Sequence, residues 1–349
     1  MKKILRIMSF VFSLTMLLST VACTSTPKKP EGRNMNIGFS VYSQEIPSLN
    51  AMIKGLTDQA SKLGYHVTVS NAQNDMATQL KNCEDLLSMD IGVLVINPID
   101  SAGIVPAVEA ANAKGVPVIM FDIDAKGGKR VAHITSNNAD MGRYSAEFLA
   151  WKLNGKGNIA YFDFPQMDIV LDRSDAFRRV MSNFPGIKIV ASGIGVMRDQ
   201  TLPQMESILQ AHPEINGVYG INGGAAFGAY YACKAAGRND IIVAGGDGED
   251  EGVALIKSGS SYEFDAGHLA TQLGILAANT IDQTSRGENH PYEVLSPVYP
   301  ITKANVDNFH GMTATTIPDA KDMTPSWYTD PSWIALCKQN NYTGWKTNS

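Results

Sequence analysis

The chain has 349 residues, 44% of them hydrophobic and 18% charged, with a formal net charge of −5. Once an N-terminal leader and tether are set aside, roughly 315 residues remain, more than one hydrophobic core usually serves, so two lobes are expected. The mild negative charge, without any basic cluster, argues against nucleic acid as a partner.

Lys2, Lys3 and Arg6 open the chain, an apolar stretch runs from about Met8 to Val21, and small residues precede Cys23. This is the pattern of an export signal, expected over residues 1–22. The stretch falls short of the roughly 20 residues a spanning helix needs, and nothing later is long and apolar enough to cross a bilayer. Thr20-Val21-Ala22-Cys23 resembles the bacterial lipobox, with Thr20 in place of the usual leucine. On that reading Cys23 is acylated and residues 23–34, rich in Thr, Ser, Lys and Pro, form a tether that cannot bury a core. Each buried methylene contributes ~0.8 kcal/mol, so two or more acyl chains anchor stably where one alone is marginal. The alternative is an ordinary signal peptide cleaved near Ala22, with Cys23 a bystander.

From Asn36 onward, β-rich runs alternate with amphipathic helices. A strand at about Asn36–Tyr42 leads to a helix at about Pro47–Leu63, where Leu49, Met52, Ile53, Leu56, Ala60 and Leu63 form one stripe. Gly64 suits the position after a helix end, and Val67 and Val69 begin the next strand. A helix near Met76–Met89, the run Val93-Leu94-Val95-Ile96, a helix near Ile104–Lys114 and the run Val116–Phe121 follow. A second series has strands near Asn158–Phe162, Ile187–Ala191, Gly217–Tyr219, Ile241–Ala244 and Tyr262–Ala266, with helices near Ser174–Asn183, Thr201–Ala211, Ala225–Ala236 and Glu249–Lys257. Continuous apolar strands between helices indicate parallel sheets covered on both faces. The expected fold is therefore α/β, two doubly wound parallel-sheet lobes. Beyond about Gly311 the rhythm fades, and Trp327, Trp333, Trp345, Tyr328 and Tyr342 imply an extension, residues 312–349, lying over the body. Cys83, Cys233 and Cys337 lack metal-ligand spacing and are expected to pack as small hydrophobes, so no metal or cofactor is expected.

Ligands of open α/β sheets bind at the carboxyl ends of strands. Here those positions carry Tyr42, Ser43, Gln44 and Glu45, then Asn97, then Asp122 and Asp124, and in the second series Asp163, Asn222, Asp247 and His268. Carboxylates and amides suit polyol recognition, because each meets adjacent hydroxyls in pairs inside a crevice that sheds water. Humbler roles stay open for several. Asn97-Pro98-Ile99-Asp100-Ser101 also reads as a turn with Asp100 or Ser101 capping a helix, Asn222 and Asp247 sit in glycine-rich turns, and His268 could be a core histidine.

Lys62-Leu63-Gly64-Tyr65, Val95–Ser101, Gly115–Ile119, Ser136-Asn137-Asn138 and Ala244–Gly248 together resemble the periplasmic sugar-binding family typified by ribose-binding protein, over about Asn36 to Phe309. The resemblance implies a type I solute-binding fold whose lobes are joined by three hinge crossings, near Ser136, His268 and Val298–Pro300. It implies a first lobe of 35–136 plus 269–297 and a second of 137–267 plus 298–311. It also implies that Asp122, Asn222 and Asp247 hold sugar hydroxyls and that His268 stands where relatives carry a ligand amide. Departures are equally informative. Paired phenylalanines of ribose-binding members become Ser48-Leu49, another becomes Gly246, and the arginine after the first-lobe Asp becomes Ile123. Of a second-lobe arginine pair, Leu171 replaces the first and Arg173 retains the other, although Arg173 could equally form an ion pair beside Asp172. Asp124 completes a D-x-D reminiscent of autoinducer-2 receptors. A cleft holding Asp122, Asp124 and Asp247 with at most Arg173 to balance them would favour a hydroxyl-rich or cationic ligand without a flat face to stack.

Leader, lipobox-like segment and resemblance together imply an exported, monomeric solute-binding lipoprotein, anchored through lipid to the outer face of the cytoplasmic membrane or periplasmic in a diderm, that meets its ligand and the permease subunits of an ABC importer. Docking on a signalling partner is an alternative, because both uses share one closure. An enzyme is the weaker rival: G-x-S-x-G, H-E-x-x-H, a P-loop and a His/Cys cluster are all missing from the sequence.

Overall fold

The computed structural model describes residues 34–166, 168–316 and 318–344, so the leader, the tether with Cys23, and Trp345 lie outside the described residues. The first lobe is laid down as β1 (Asn36–Val41), α1 (Pro47–Lys62), β2 (His66–Asn71), α2 (Met76–Ser88), β3 (Val93–Asn97), α3 (Val105–Ala113), β4 (Val118–Phe121) and β5 (Ala132–Ser136). The second follows as α4 (Asn138–Lys152), β6 (Gly157–Asp163), α5 (Asp168–Met181), β7 (Ile187–Ile194), α6 (Arg198–Ala211), β8 (Gly217–Gly220), α7 (Gly223–Ala235), β9 (Ile242–Gly246), α8 (Asp250–Ser258) and β10 (Tyr262–His268). The chain then returns through α9 (Ala270–Ser285) and β11 (Glu293–Ser296), and leaves again by β12 (Val298–Thr302), a 3-10 turn (Ser326–Thr329) and α10 (Pro331–Gln339).

Two six-stranded sheets result, ordered β11-β5-β4-β3-β1-β2 and β12-β10-β9-β8-β6-β7. The period of two along each strand divides the first core between two faces. Val93 and Val95 of β3 pack with α1 and α9, whereas Leu94 and Ile96 pack with α2 and α3. The helices make the same division, since only helices on both faces can cover strands that are apolar at every position.

Among the described residues every strand pair is parallel except β10–β12. That exception follows from connectivity. β11 runs parallel to its sheet and ends at the carboxyl edge, and a single residue, Pro297, separates it from β12. A chain passing so directly from one sheet to the other enters the second from its carboxyl edge and must run backwards through it. The carboxyl edges of the two sheets therefore face one another. The other passages lie at Ser136–Asn138 and His268–Ala270, and the third falls at Pro297, just ahead of the span Val298–Pro300.

The segment after β12 touches both lobes. The amide of Thr271, in the first turn of α9, donates to Met312 O at 3.0 Å. Further on, Trp327 and Trp333 are fully buried against the second lobe, Trp327 among Phe148, Trp151 and Phe264. Tyr328 and Tyr342 donate to opposite oxygens of Glu147 at 2.7 and 2.6 Å, and Arg143 donates to Glu147 Oε1 at 3.3 Å. Burial pushes the Glu147 carboxyl up and Arg143 pulls it back.

One helix crossing bears directly on the site. At Gly142 of α4 a Cβ would fall 1.9 Å from the carbonyl oxygen of Arg173 on α5, so the two helices meet backbone to backbone. Gly142→Ala must part them, and overpacking of this kind costs about 1–3 kcal/mol. A melting temperature lowered by several degrees, together with weaker ligand binding through the displaced Arg173, is expected from calorimetry.

Candidate functional site

The facing edges carry matching acids. Asp122 directly follows β4 and Asp247 directly follows β9, with φ of 65° and 80°. Each adds one rung to its ladder: Asp122 N donates to Ile134 O at 2.7 Å and Asp247 N to Ala266 O at 3.0 Å. Left-handed backbone is costly for residues with a Cβ and cheapest for Asp, Asn and Gly. Its recurrence at equivalent places in both lobes turns each carboxyl away from the strand path, a form of strain common at binding sites.

The neighbouring strands carry the hinge. β5 ends at Ser136 and β10 at His268, and Ser136 Oγ shares a hydrogen bond of 2.7 Å with His268 Nδ1. His268 is only 6% exposed, and burial pushes its imidazole down to about 4, with Asp247 opposing and Arg173 reinforcing the shift. It is therefore neutral at physiological pH, and among the described residues its Nε2 has no hydrogen-bond partner.

Arg173 is held rigidly from three sides. Its Nε donates to Asn138 Oδ1 at 2.7 Å, and its Nη1 to Ile221 O at 3.2 Å and to Asp247 Oδ1 at 3.0 Å. The group is a part-buried ion pair, with Arg173 buried and Asp247 half-buried, and a supporting amide, so its charge is met before any ligand arrives. Asn222 caps α7, accepting from Ala225 N at 3.0 Å through Oδ1, and its Nδ2 has no partner among the described residues. Burial pushes the Asp122 carboxyl up to about 6 against the pull of Arg173 and His133, and Asp247 adds to the rise. Asp122 belongs to the first lobe and Arg173 and Asp247 to the second, so these electrostatics join the lobes. Burial, reinforced by Asp122, pushes the Tyr42 phenol up to about 12.

Other strand-end residues take different places. Asp124 accepts from Arg130 Nε at 3.1 Å and from Tyr292 Oη at 2.8 Å, so its charge is balanced within the first lobe. This corrects the expectation that Arg173 alone could offset the acids. Asn97 is fully buried, and its Nδ2 donates to Phe121 O at 2.9 Å, joining β3 to β4 while its Oδ1 lacks a partner. The turn beyond it is capped by Asp100, which accepts from Ala102 N at 3.1 Å and Gly103 N at 2.5 Å. Asp163 is tied to Ser174 Oγ at 2.6 Å and Arg178 at 3.1 Å, and Glu45 is exposed at the rim. A cavity of about 410 Å3 touches both lobes, with Asp122, Asp124, His133, Asn138 and Leu171 in its wall.

Sequence reasoning missed Asn138, which orients Arg173, and Glu249, beside Asp247. The motif Ser136-Asn137-Asn138 was visible, but its meaning depends on where α4 starts.

Beneath Asp247 lies a second acid of structural consequence. Asp265 is fully buried, accepting from Tyr262 Oη at 2.7 Å and Gly248 N at 2.8 Å, and burial pushes it up to about 7. A carboxyl raised on folding contributes stability that is complete below its unfolded pKa and lost as pH rises through the folded value. Melting temperature should fall between about pH 4 and about pH 7, and Asp265→Asn should flatten that fall. An unchanged slope in the variant would assign the pH dependence elsewhere.

Two lobes, a crevice at facing carboxyl edges and three strand-level crossings define a hinged solute-binding protein, a class that captures and releases without chemical turnover. The chain belongs to the periplasmic binding protein domain family, whose model matches residues 37–289. It is 30% identical to the ribose import binding protein RbsB of Bacillus subtilis, covering 83% of this chain and 96% of that one. Among solved structures, an ABC transporter solute binding protein from Mycobacterium smegmatis with bound glycerol superposes with a TM-score of 0.73 at 29% identity, covering 82% of this chain and 100% of its own. The fructose-binding periplasmic domain of a hybrid two component system superposes with a TM-score of 0.70 at 25% identity, covering 79% and 93%. The chain is thus a ribose-binding-like, type I member of a non-enzymatic solute-binding fold. Among the described residues, no helix is long and apolar enough to cross a membrane.

Proposed function

We propose that this chain captures a sugar or sugar-like polyol between its lobes and delivers it to the permease of an ABC importer, as an exported monomer anchored through lipid on Cys23. The observation that carries the reading is the pair Asp122 and Asp247, left-handed residues at equivalent strand ends of facing sheets, linked through Arg173. Asn222, Asp247, Arg173 and His268 would contact the ligand from the second lobe, and Asp122 and Tyr42 from the first. Asn97 and Asp124 would act one step back, by fixing β4 and the loop after it.

Contacts from both lobes favour the closed state over the open one by their difference in interaction energy. Moving from 99% open to 99% closed requires about 5.5 kcal/mol. Hydrogen bonds to charged groups contribute roughly 1.5–3 kcal/mol each, so a few suffice. The names of the relatives support this reading: ribose import for one, bound glycerol for another. Docking of the closed form on a sensor is the second reading, favoured by the resemblance to a two component receptor domain.

A thermal-shift screen against pentoses, hexoses, polyols, amino sugars and nucleosides tests the first part, because a ligand of the folded state raises the melting temperature. A hit confined to nucleosides would overturn it. Membrane fractionation tests the anchor: Cys23→Ala should release the protein, and retention of the variant would contradict lipidation.

A further inference from the structure

The crevice has more acid than its own cations can meet. Arg173 is committed to Asp247 and Arg130 to Asp124. His268 sits buried and bonded to Ser136, near enough to Asp247 for that carboxylate to act on its imidazole. Among the described residues, neither Asp122 in the first lobe nor Glu249 in the second has a salt bridge or a side-chain hydrogen bond, and Asp172, beside Asp122 in the cavity wall, has none either. Glu249 Oε1 would lie 3.4 Å from a Cβ placed on Gly223, the residue after Asn222, so it stands beside the second-lobe ligand contacts. The charges that act on it are Asp247, Glu251 and Asp250, with Arg198 the opposing cation, and Arg198 is already paired with Glu251. The cavity that Asp122 lines repeats the imbalance: Asp122, Asp124, Asp172 and Glu293 line it against Lys126 and His133.

An unpartnered carboxylate in a half-buried position is unfavourable by itself, and it persists where a ligand supplies the missing donors. A neutral polyol supplies hydroxyl donors but no charge. An ammonium group supplies three donors and the charge together, and attracts every acid in the crevice. From the uncommitted acids on both lobes we infer that the ligand is a cationic polyol, an amino sugar or aminoalditol, whose ammonium is selected by Asp122 and Glu249. This rests on the reading of the crevice as a polyol site and narrows the ligand class within it.

The test is calorimetry on the full chain with paired probes: glucosamine, galactosamine and glucamine against glucose, galactose and glucitol, and a wider panel of pentoses and polyols each matched with its amino counterpart. At least one amine is expected to bind ten-fold or more tightly than its hydroxyl partner. N-acetylation of that amine should abolish the advantage, an arm that needs no variant. Asp122→Asn and Glu249→Gln should each weaken the amine by ten-fold or more while leaving the melting temperature of the empty protein near that of the parent. If a neutral polyol binds as tightly as its amine, or the N-acetyl form binds equally well, the inference fails and the polyol reading survives. If no carbohydrate or polyol of either kind binds, the polyol reading itself fails.

Discussion

Asp247→Ala is expected to weaken ligand binding by about 100-fold or more, the largest effect of any single change in the crevice. Two losses combine. The ligand loses a charged acceptor, worth roughly 1.5–3 kcal/mol. Arg173, 7% exposed and bonded to Asp247 at 3.0 Å, is left buried beside a neutral methyl, with only Asn138 and a carbonyl to hold it. Breaking a buried pair on one side is costly because the remaining charge has no counter-ion. Asp247→Asn keeps an oxygen for Arg173 and should lose only about ten-fold, close to 1.4 kcal/mol. Calorimetry with the ligand found by screening measures both, and an affinity unchanged in the alanine variant would remove Asp247 from the site.

Trp327→Ala is expected to produce the largest loss of stability. Its indole lies 5.5 Å from Phe148 and 6.0 Å from Trp151 between ring centroids, and 5.7 Å from Phe264 of β10. Removing it opens a cavity under α4 and releases the segment that brings Tyr328 to Glu147. Truncations of buried Trp cost about 3–5 kcal/mol. For a lobe of this size about 2–4 °C accompanies each kcal/mol, so a fall on the order of 10 °C is expected in scanning calorimetry. A variant melting with the parent would show that the C-terminal segment contributes nothing to the second lobe.

Much of this architecture is legible in the residues. Val93-Leu94-Val95-Ile96 declares a strand covered on both faces, and the structure places its alternate side chains in different cores. Strand-end reasoning also points to Asp122, Asn222 and Asp247, and the family resemblance adds Arg173. The illegible parts have physical causes. α4 is buried along most of its length, including Glu147, so it shows no apolar stripe against a polar face and passes unread. α9 is hidden in the same way by its packing on α1. Asn97 resembles a ligand contact in every local respect, and only the approach of Phe121 from a distant strand shows that its amide is already engaged. Glu249 reads as the start of a solvated helix, and its significance emerges only once Asn222 and Asp247 are folded beside it.

Distance between the lobes tests the hinge most directly. β2 and β7 are the sheet edges farthest from the β11–β12 crossing, so Gln73 and Asp199, exposed just beyond them, should move most. Spin labels at Gln73→Cys and Asp199→Cys report that separation, since the described native cysteines are buried. Saturating ligand should replace a broad distribution with a shorter, narrower one, and the same ligand should leave the Asp247→Ala protein unshifted. Tight binding with no change in the distance distribution would contradict capture by closure.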